Sequence, residues 1–381
     1  MYLIERLLGL GVFSLGMFGT CIMITKLSKR SVPVLINIYI VFLAVLGYFF
    51  VPHVGADLYR IYYALHAYAA SSFTEIVDRA FSSTTPGEYL YYYFLGKTHN
   101  DRLLPAVNAL IVYSSIFYML KDRFARCEYK SDVSLALFLF MSRGLYMATI
   151  SGIRTMLALA IFCYCIYQEI YNNKKIKHLI VPYLICASVH VMGQVMLLYR
   201  ILFLFFEKSN GVRGKIRSVL VGLVSIFLIT RYGANYIDVL LERSNSYYNY
   251  AIQGVAYDYL WERILSVFSI ILFVYLATTF KRLSKKYAGT IPDHVTNTKT
   301  LITFLIPLTI IDIITFFIEF SFFQRTSYIL TILSIPIVME ILYISDGEKA
   351  KIKKYLLIIA LIFFAVAFSR GDMCSYKFMQ L

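Results

Sequence analysis

Four residues that are able to do chemistry lie at the ends of apolar segments of this chain: Asp57, Arg154, His190 and Arg325. A charged side chain held next to hydrocarbon costs about 2.5 to 3.5 kcal/mol on insertion scales, so such residues are functional candidates. A guanidinium group donates paired hydrogen bonds to phosphate oxygens, and an imidazole exchanges a proton near neutral pH. These residue types predict a site that binds an anionic, phospholipid-like ligand through its phosphate or pyrophosphate and moves a proton.

Each of these residues also has a purely structural interpretation. Asp57 and Arg60 are three positions apart, so they can form a local ion pair on one face of a helix. Arg154 and Arg325 lie in tight turns between apolar segments, where arginines commonly reach lipid head groups. His190 closes a short apolar segment, where a histidine is often structural. Independent head-group anchors should occur on both faces of a membrane, whereas these residues share one predicted face, which favours a common site.

Four further residues are predicted to contact substrate: Tyr59, Arg60, Glu88 and Arg143. The first two lie two and three positions after Asp57, and Glu88 opens a tyrosine-rich run at 88–94. Aromatic faces mixed with carboxylates suit sugar rings, which present apolar C–H faces and hydroxyl edges; an aromatic belt at the membrane surface is the alternative. Arg143 lies within an apolar span, where pairing with a buried acid such as Asp312 is the structural alternative.

The composition identifies the elements that must position these residues. Hydrophobic residues make up 59% of the 381 positions and charged residues only 15%, with a mean hydropathy of +0.68. This exceeds what the surface of a soluble domain tolerates. Because many apolar runs approach the roughly 20 residues that cross hydrocarbon, we predict an all-α polytopic integral membrane protein with about 11 to 12 transmembrane helices. The predicted spans are 7–25, 32–51, 103–120, 132–150, 153–170, 179–190, 192–206, 216–230, 264–280, 301–318, 326–344 and 355–368.

The net charge of +15 is explained by topology. More than half of the 37 Lys and Arg residues fall in short loops on one predicted side, at 26–31, 121–130, 171–178, 207–217, 281–299 and 345–354. Such a bias marks cytoplasmic loops, so nucleic acid is not an expected partner. The assignment requires the stretch 179–206 to form two short helices that turn near Val191 to Gln194, because a single crossing would reverse the bias downstream.

A single transmembrane domain is predicted over 1–381. Two long outward loops, 52–102 and 231–263, are expected to cover an active-site cavity, and the first is expected to contain an interfacial helix. The six cysteines lie mostly within spans and lack metal-ligand spacing, and no glycine-rich phosphate loop occurs. We therefore expect neither a metal site nor a cofactor.

Short motifs in chain order resemble those of the EpsG and Wzy-type polymerases of bacterial exopolysaccharide, capsule and O-antigen. They comprise Gly55-x-Asp57 with the tyrosines after it, Arg154 with Leu157 and Ala158, the short helix ending in His190, and Arg325 followed by Tyr328 and Pro336. The chain departs from the family at Pro52-His53, because the family often has an arginine shortly before the Gly-x-Asp.

The resemblance implies a GT-C-like, metal-independent glycosyltransferase in the bacterial cytoplasmic membrane, with its site facing outward. It would join oligosaccharide repeat units carried on undecaprenyl pyrophosphate, using one lipid-linked unit as donor and another as acceptor. The membrane lipids, the flippase and the chain-length regulator of the same pathway are the further partners implied. Arg154 and Arg325 would hold the pyrophosphate with Arg60 as a third donor. His190 would take the acceptor proton, Asp57 would orient it or act as the base itself, and direct displacement would invert the anomeric centre.

Other classes of membrane protein remain open at this point. A lipid-linked oligosaccharide flippase or a secondary transporter should show inverted repeats and ionisable residues near the midplane. The related O-antigen ligase would use the same chemistry with another acceptor, and a non-catalytic scaffold needs no site. Incubation of the protein with lipid-linked repeat units distinguishes them, because only a polymerase lengthens the glycan.

Overall fold

The computed structural model describes residues 2–52, 57–126, 129–207, 256–286, 293–318, 320–345 and 347–369, and every regular element within them is helical. The α-helices are α1 (Tyr2–Lys26), α2 (Val32–Tyr48), α3 (Asp57–Ala70), α4 (Phe73–Ser82), α5 (Pro86–Gly96), α6 (Leu103–Arg126), α7 (Lys130–Ser142), α8 (Leu145–Ile150), α9 (Ile153–Asn172), α10 (Ile180–Val189), α11 (Val191–Glu207), α12 (Ala256–Lys286), α13 (Asp293–Ile318), α14 (Phe320–Ile344) and α15 (Lys349–Ser369). The predicted span 216–230 and most of the predicted loop 231–263 lie outside the described residues.

Within these ranges, seven helices are long and apolar enough to cross a membrane: α1, α2, α6, α9, α12, α13 and α14. The chain is therefore a multi-pass membrane protein, and the predicted all-α fold class is confirmed. Side chains such as Leu15, Ile38 and Val181 are exposed on the outside of the bundle, where lipid tails would cover them. The α14 helix is buried along most of its length and packs against α7, α9, α12 and α13, so it forms the centre of the bundle.

The predicted division of the stretch 179–206 into two helices is confirmed by α10 and α11. His190 interrupts the helix with an extended backbone, at φ −156° and ψ 144°. The chain then reverses, because Gly193 lies against Cys186 and the Gln194 side chain donates to the carbonyl of Ala187 at 3.1 Å. A continuous helix would hold positions 186 and 193 roughly 10 Å apart. The two helices therefore form a hairpin with His190 at its tip.

The close crossing of this hairpin gives a testable prediction. A Cβ on Gly193 would overlap the carbonyl oxygen of Cys186, and this backbone atom cannot rotate away. We expect Gly193→Ala to destabilise the protein by about 1 to 3 kcal/mol, as overpacking generally does. Gly19→Ala is the matched control, since a Cβ on this helical glycine meets nothing within 4 Å. Thermal unfolding in detergent measures both variants, and equal midpoints would contradict the proposed crossing.

The predicted span 132–150 is wrong as a single helix. It is divided into α7 and α8 at Gly144, whose backbone is left-handed with φ 76°. A glycine adopts this conformation without the clash that a Cβ would cause, so the chain bends at that position. The break leaves Arg143 at the end of α7 and directs its side chain sideways into the neighbouring helices.

The predicted loop 52–102 contains three short helices, α3, α4 and α5. Helix α4 begins with a capping box, in which Ser72 and Glu75 satisfy each other's backbone N–H groups. Helices α3 and α5 pack together: Gly96 lies against the carbonyl of Leu65, and the Lys97 ammonium donates to the carbonyl of Ala69 at 2.8 Å. The segment is thus an ordered layer, and its outward position remains a prediction.

Contacts between helix termini define the two ends of the bundle. At one end, Asn100 donates to the Tyr48 hydroxyl at 3.1 Å, which joins the region before α6 to the end of α2. The start of α9 and the tip of the α10–α11 hairpin meet at this same end. At the other end, Lys349 and Lys353 bind Asp132 at 2.7 Å and 2.6 Å. The described parts of the loops 26–31, 121–130, 171–178 and 345–354 therefore lie at the end opposite the hairpin tip.

Candidate active site

Arg154 lies in the first turn of α9 and pairs with a carboxylate from another layer of the fold. Its Nη1 lies 2.6 Å from Oε1 of Glu88, on the first turn of α5. The second oxygen of Glu88, Oε2, accepts a hydrogen bond from the Thr85 hydroxyl at 3.0 Å. Both charged residues were predicted to serve the site, and the structure joins them across 66 positions of sequence.

His190 adjoins this pair through Thr155. The Thr155 hydroxyl lies 3.2 Å from Nε2 of His190, and the backbone N–H of Met192 donates to Nδ1 at 3.0 Å. The histidine therefore caps the N-terminus of α11 through its side chain. Because Nδ1 accepts a hydrogen bond, the proton of the neutral ring belongs on Nε2, directed at Thr155. Thr155 was not among the predicted site residues. Its position directly after Arg154 is an indication in the sequence that it lies near the site.

Three helix N-termini converge here, those of α5, α9 and α11. The start of α5 packs on the end of α10, because a Cβ on Gly87 would overlap the Ser188 side chain. Gln194, in the first turn of α11, donates to the carbonyl of Thr84 before α5. Each N-terminus presents the positive end of a helix dipole. The convergence therefore reinforces the guanidinium of Arg154 and suits an anionic ligand.

The α3 helix contributes charged and aromatic residues at the edge of this cluster. Asp57 forms an ion pair with Arg60, and both side chains are more than half exposed. This is the local pair that the spacing allowed. The Asp57 carboxylate also contributes to the electrostatic field at Arg154, although Glu88 is the nearer acid. Tyr59 shares a hydrogen bond of 3.1 Å with the Tyr63 hydroxyl.

Aromatic rings of α3 and α5 line the side of the cluster. The ring centroid of Tyr68 lies 5.5 Å from that of Tyr89 and 6.3 Å from that of Tyr92. Burial raises the pKa of Tyr92 and of Tyr68, and the nearby Glu88 carboxylate adds to both shifts while Arg154 opposes them. Both hydroxyls therefore stay neutral at physiological pH and can donate hydrogen bonds. Tyr68 was missed because it lies outside the run at 88–94 that drew attention to α5.

Arg143 lies in a different setting. Its Nη2 donates to Glu262 at 3.1 Å and to Ser266 at 3.3 Å, and its Nε donates to Ser269 at 3.1 Å. The guanidinium also lies over the ring of Tyr328, 5.4 Å from its centroid. These contacts join α7 to α12 and α14. Direct contact between Arg143 and substrate remains a prediction.

Arg325 is half-buried in the second turn of α14, at the N-terminal end of that helix. The next residue, Thr326, hydrogen-bonds through its hydroxyl to the buried carboxylate of Asp312 on α13. Asp312 was considered as a counter-ion for an intramembrane arginine. Within the part of the chain that the structure describes, Arg143 pairs with Glu262 and Arg200 pairs with Glu169 instead.

Among the four described arginine–acid pairs that join two helices, exposure separates the Arg154 pair from the other three. Three are closed to solvent, with side-chain exposures of 1% and 0% for Arg123–Glu340, 1% and 9% for Arg143–Glu262, and 9% and 6% for Arg200–Glu169. In the fourth, Arg154 is 36% exposed and Glu88 13%. A ligand can therefore reach Arg154 without unpacking the bundle, whereas the three closed pairs hold helices together.

Comparison with known proteins agrees with this architecture. The model of the EpsG family matches residues 33–379, which is nearly the whole chain and includes every residue of the candidate site. The family comprises Wzy-like polysaccharide polymerases. No curated protein and no solved structure matches the chain. Because the family match extends over far more than half of its length, the chain belongs to the EpsG family.

Proposed function

We propose that the protein joins oligosaccharide repeat units, each carried on a polyprenyl pyrophosphate, into a polysaccharide at the outer face of the bacterial cytoplasmic membrane. Membership of a polysaccharide polymerase family supports the reaction class. The observation that carries the proposal further is the Arg154–Glu88 pair, which is open to a ligand and lies where three helix N-termini meet. This arrangement fits the diphosphate of a lipid-linked sugar.

The donor diphosphate gains negative charge as its glycosidic bond breaks. Cations fixed in place before the reaction stabilise this charge without reorganising, which is commonly the largest contribution to catalysis. We assign Arg154 to the leaving diphosphate, because its guanidinium is accessible and the dipole of α9 points the same way. Arg325 and Arg60 are proposed as further cations for the same group. The reaction is written without a metal ion and as a single displacement that inverts the anomeric centre.

His190 is proposed to act as a hydrogen-bond donor to a substrate oxygen. A general base needs a nitrogen lone pair that faces the substrate proton. In His190, Nδ1 already accepts from Met192 and Nε2 carries the proton of the neutral ring, so the geometry favours donation from Nε2. The sequence predicted that His190 takes the acceptor proton. The proposal replaces that role with hydrogen-bond donation from Nε2. Thr155 positions the ring by sharing the hydrogen bond to Nε2.

The aromatic residues of α3 and α5 are proposed to contact the sugar rings. Tyr68 and Tyr89 form a partly exposed ring surface beside Glu88, and the buried Tyr92 packs against Tyr68. Such surfaces stack on the apolar faces of sugars, and neutral hydroxyls donate to sugar oxygens. Tyr59 is a further candidate at the exposed edge of α3.

The charge distribution supports an outward-facing site. Loops rich in Lys and Arg usually remain in the cytoplasm. The described parts of the basic loops 26–31, 121–130, 171–178 and 345–354 lie at the end of the bundle that carries Lys349 and Lys353, and Arg154 and His190 lie at the opposite end. By this rule the candidate site faces the periplasm or the cell exterior.

Reconstitution with lipid-linked repeat units tests the proposed function. Purified protein in nanodiscs, given repeat units on undecaprenyl pyrophosphate and no other enzyme, should form glycans of two or more units, detected by mass spectrometry. Movement of the lipid between leaflets without a new glycosidic bond would instead identify a flippase. Transfer only to an added second acceptor would identify a ligase, and either result would overturn the polymerase assignment.

A further inference from the structure

Substrate binding must change the contact between Glu88 and Arg154. If Arg154 receives the donor diphosphate, as the proposed function on which this inference rests requires, then it must loosen its existing contact with Glu88. A diphosphate offers several charged oxygens to the guanidinium fork, whereas Glu88 engages one terminal nitrogen of Arg154 through one oxygen. The diphosphate is therefore the stronger partner, and its arrival releases Oε1 of Glu88.

The position of Glu88 keeps the released carboxylate in the site. Glu88 is the third residue of α5, which fixes its backbone, and Thr85 holds Oε2 at 3.0 Å independently of Arg154. The side chain is only 13% exposed, so bulk water does not surround it. Loss of the Arg154 contact therefore leaves one carboxylate oxygen free, close to the donor and anchored through its partner oxygen.

We propose that Glu88 is the general base of the transfer reaction and that donor binding activates it. The acceptor sugar hydroxyl gives its proton to Oε1 of Glu88 while its oxygen bonds to the anomeric carbon of the donor. The bond from that carbon to the diphosphate breaks, and the electron pair leaves with the diphosphate, which Arg154 holds. The proton on Glu88 then passes to water, and the pair with Arg154 re-forms when the lipid diphosphate departs.

The other described groups of this region fit the role less well. His190 presents an N–H group at Nε2, as argued above. Asp57 is about half exposed and paired with Arg60 on its own helix. Glu262 is closed against Arg143, and Asp312 is fully buried against Thr326. Glu88 is largely buried, accepts a second hydrogen bond from Thr85 and contacts Arg154, the arginine proposed to bind the diphosphate.

This coupling predicts an order of binding. Without donor, Glu88 is neutralised by Arg154 and is a poor proton acceptor, so an acceptor sugar or water in the site does not react. Donor binding supplies the leaving group and the base together. The Glu88 base is therefore released only while a donor occupies the site.

Replacement of Glu88 tests the role, with undecaprenyl pyrophosphate as the binding probe. Glu88→Gln keeps the shape and the contact with Thr85 but cannot accept the proton, so we expect turnover to fall about 10² to 10⁴-fold. Binding of the probe to this variant should be as tight as in the wild type or tighter, because Arg154 loses its competing anion. Added formate should restore turnover of Glu88→Ala by roughly tenfold or more, since a small carboxylate can replace the missing base.

The matched control is Glu75→Gln, which changes the third residue of the neighbouring helix α4, where the described partner of the carboxylate is the backbone N–H of Ser72. Its turnover should equal that of the wild type. Turnover of Glu88→Gln near the wild-type level would overturn the inference. So would probe binding that weakens in parallel with turnover and no rescue by formate, because Glu88 would then only position Arg154. Absence of polymer with the wild-type protein would instead refute the proposed function, so the two failures are distinguishable.

Discussion

Arg154→Ala should stop chain extension while the protein remains folded in the membrane. Removal of a single preorganised donor to a developing oxyanion commonly costs about 10² to 10³ in rate, and Arg154 also provides the accessible charge of the site. Cells that carry this variant should accumulate single repeat units on lipid, visible by electrophoresis or mass spectrometry of lipid-linked glycans. The variant should remain folded because Glu88, which loses its partner, lies in the layer of short helices outside the bundle core and still accepts a hydrogen bond from Thr85.

Arg154→Lys separates charge from geometry. Lysine keeps the positive charge but lacks the planar fork that binds two phosphate oxygens, so we expect activity between that of alanine and that of arginine. Arg282→Ala is a suitable control, because Arg282 is an exposed arginine that pairs with Glu348 at the opposite end of the bundle. Polymer of normal length from the Arg154→Ala variant would refute the assignment of the diphosphate to this residue.

Replacement of His190 is expected to have the second large effect, and two variants separate its two contacts. Asparagine is a good helix cap, so His190→Asn can keep the hydrogen bond from the Met192 N–H, but its side chain is too short to reach Thr155. We expect His190→Asn to retain wild-type stability and to lose about 10²-fold in turnover. His190→Ala should lose the same activity and, in addition, about 1 kcal/mol of stability from the missing cap.

Thr155→Val completes this test. Valine keeps the shape of threonine but removes the hydroxyl that positions Nε2 of His190. Turnover should fall less than in His190→Asn, because the imidazole donor is still present, and the Km for the lipid-linked unit should change little. Polymerisation by His190→Asn at the wild-type rate would show that the ring serves only as the cap of α11.

The hairpin of α10 and α11 was predictable because topology demanded it: a single crossing at 179–206 would have placed basic loops on both faces. The break at Gly144 was not predicted, although the polar residues Ser142 and Arg143 precede it, because so short a polar interruption is also compatible with a continuous apolar span. Arg154 was found as a candidate from its tight turn. Its pairing with Glu88 depends on how the layer of short helices lies on the bundle, which local sequence patterns do not encode.

The ion pair of Arg143 shows a different limit of prediction from sequence. The predicted span 264–280 is part of α12, which begins at Ala256 and ends at Lys286. The predicted loop 231–263 therefore ends too late, since Glu262 and Arg263 lie within this helix. Glu262 is tolerated within the helix because Arg143 neutralises it from α7. The sequence shows both charges, but only the packing of α7 against α12 shows that they cancel each other.

The shortness of α10 has a consequence for the surrounding bilayer. Its ten residues rise only about 15 Å, roughly half the thickness of the hydrocarbon layer. Its outer face still carries the exposed apolar side chains of Ile180, Val181, Leu184 and Ile185, which are most stable against lipid tails. Lipids beside this helix must compress to match it, so the membrane should be thinner there than elsewhere around the protein. A long isoprenoid carrier that diffuses through this thinner membrane would reach the candidate site from the side of the bundle. Its tail would stay in the lipid phase throughout.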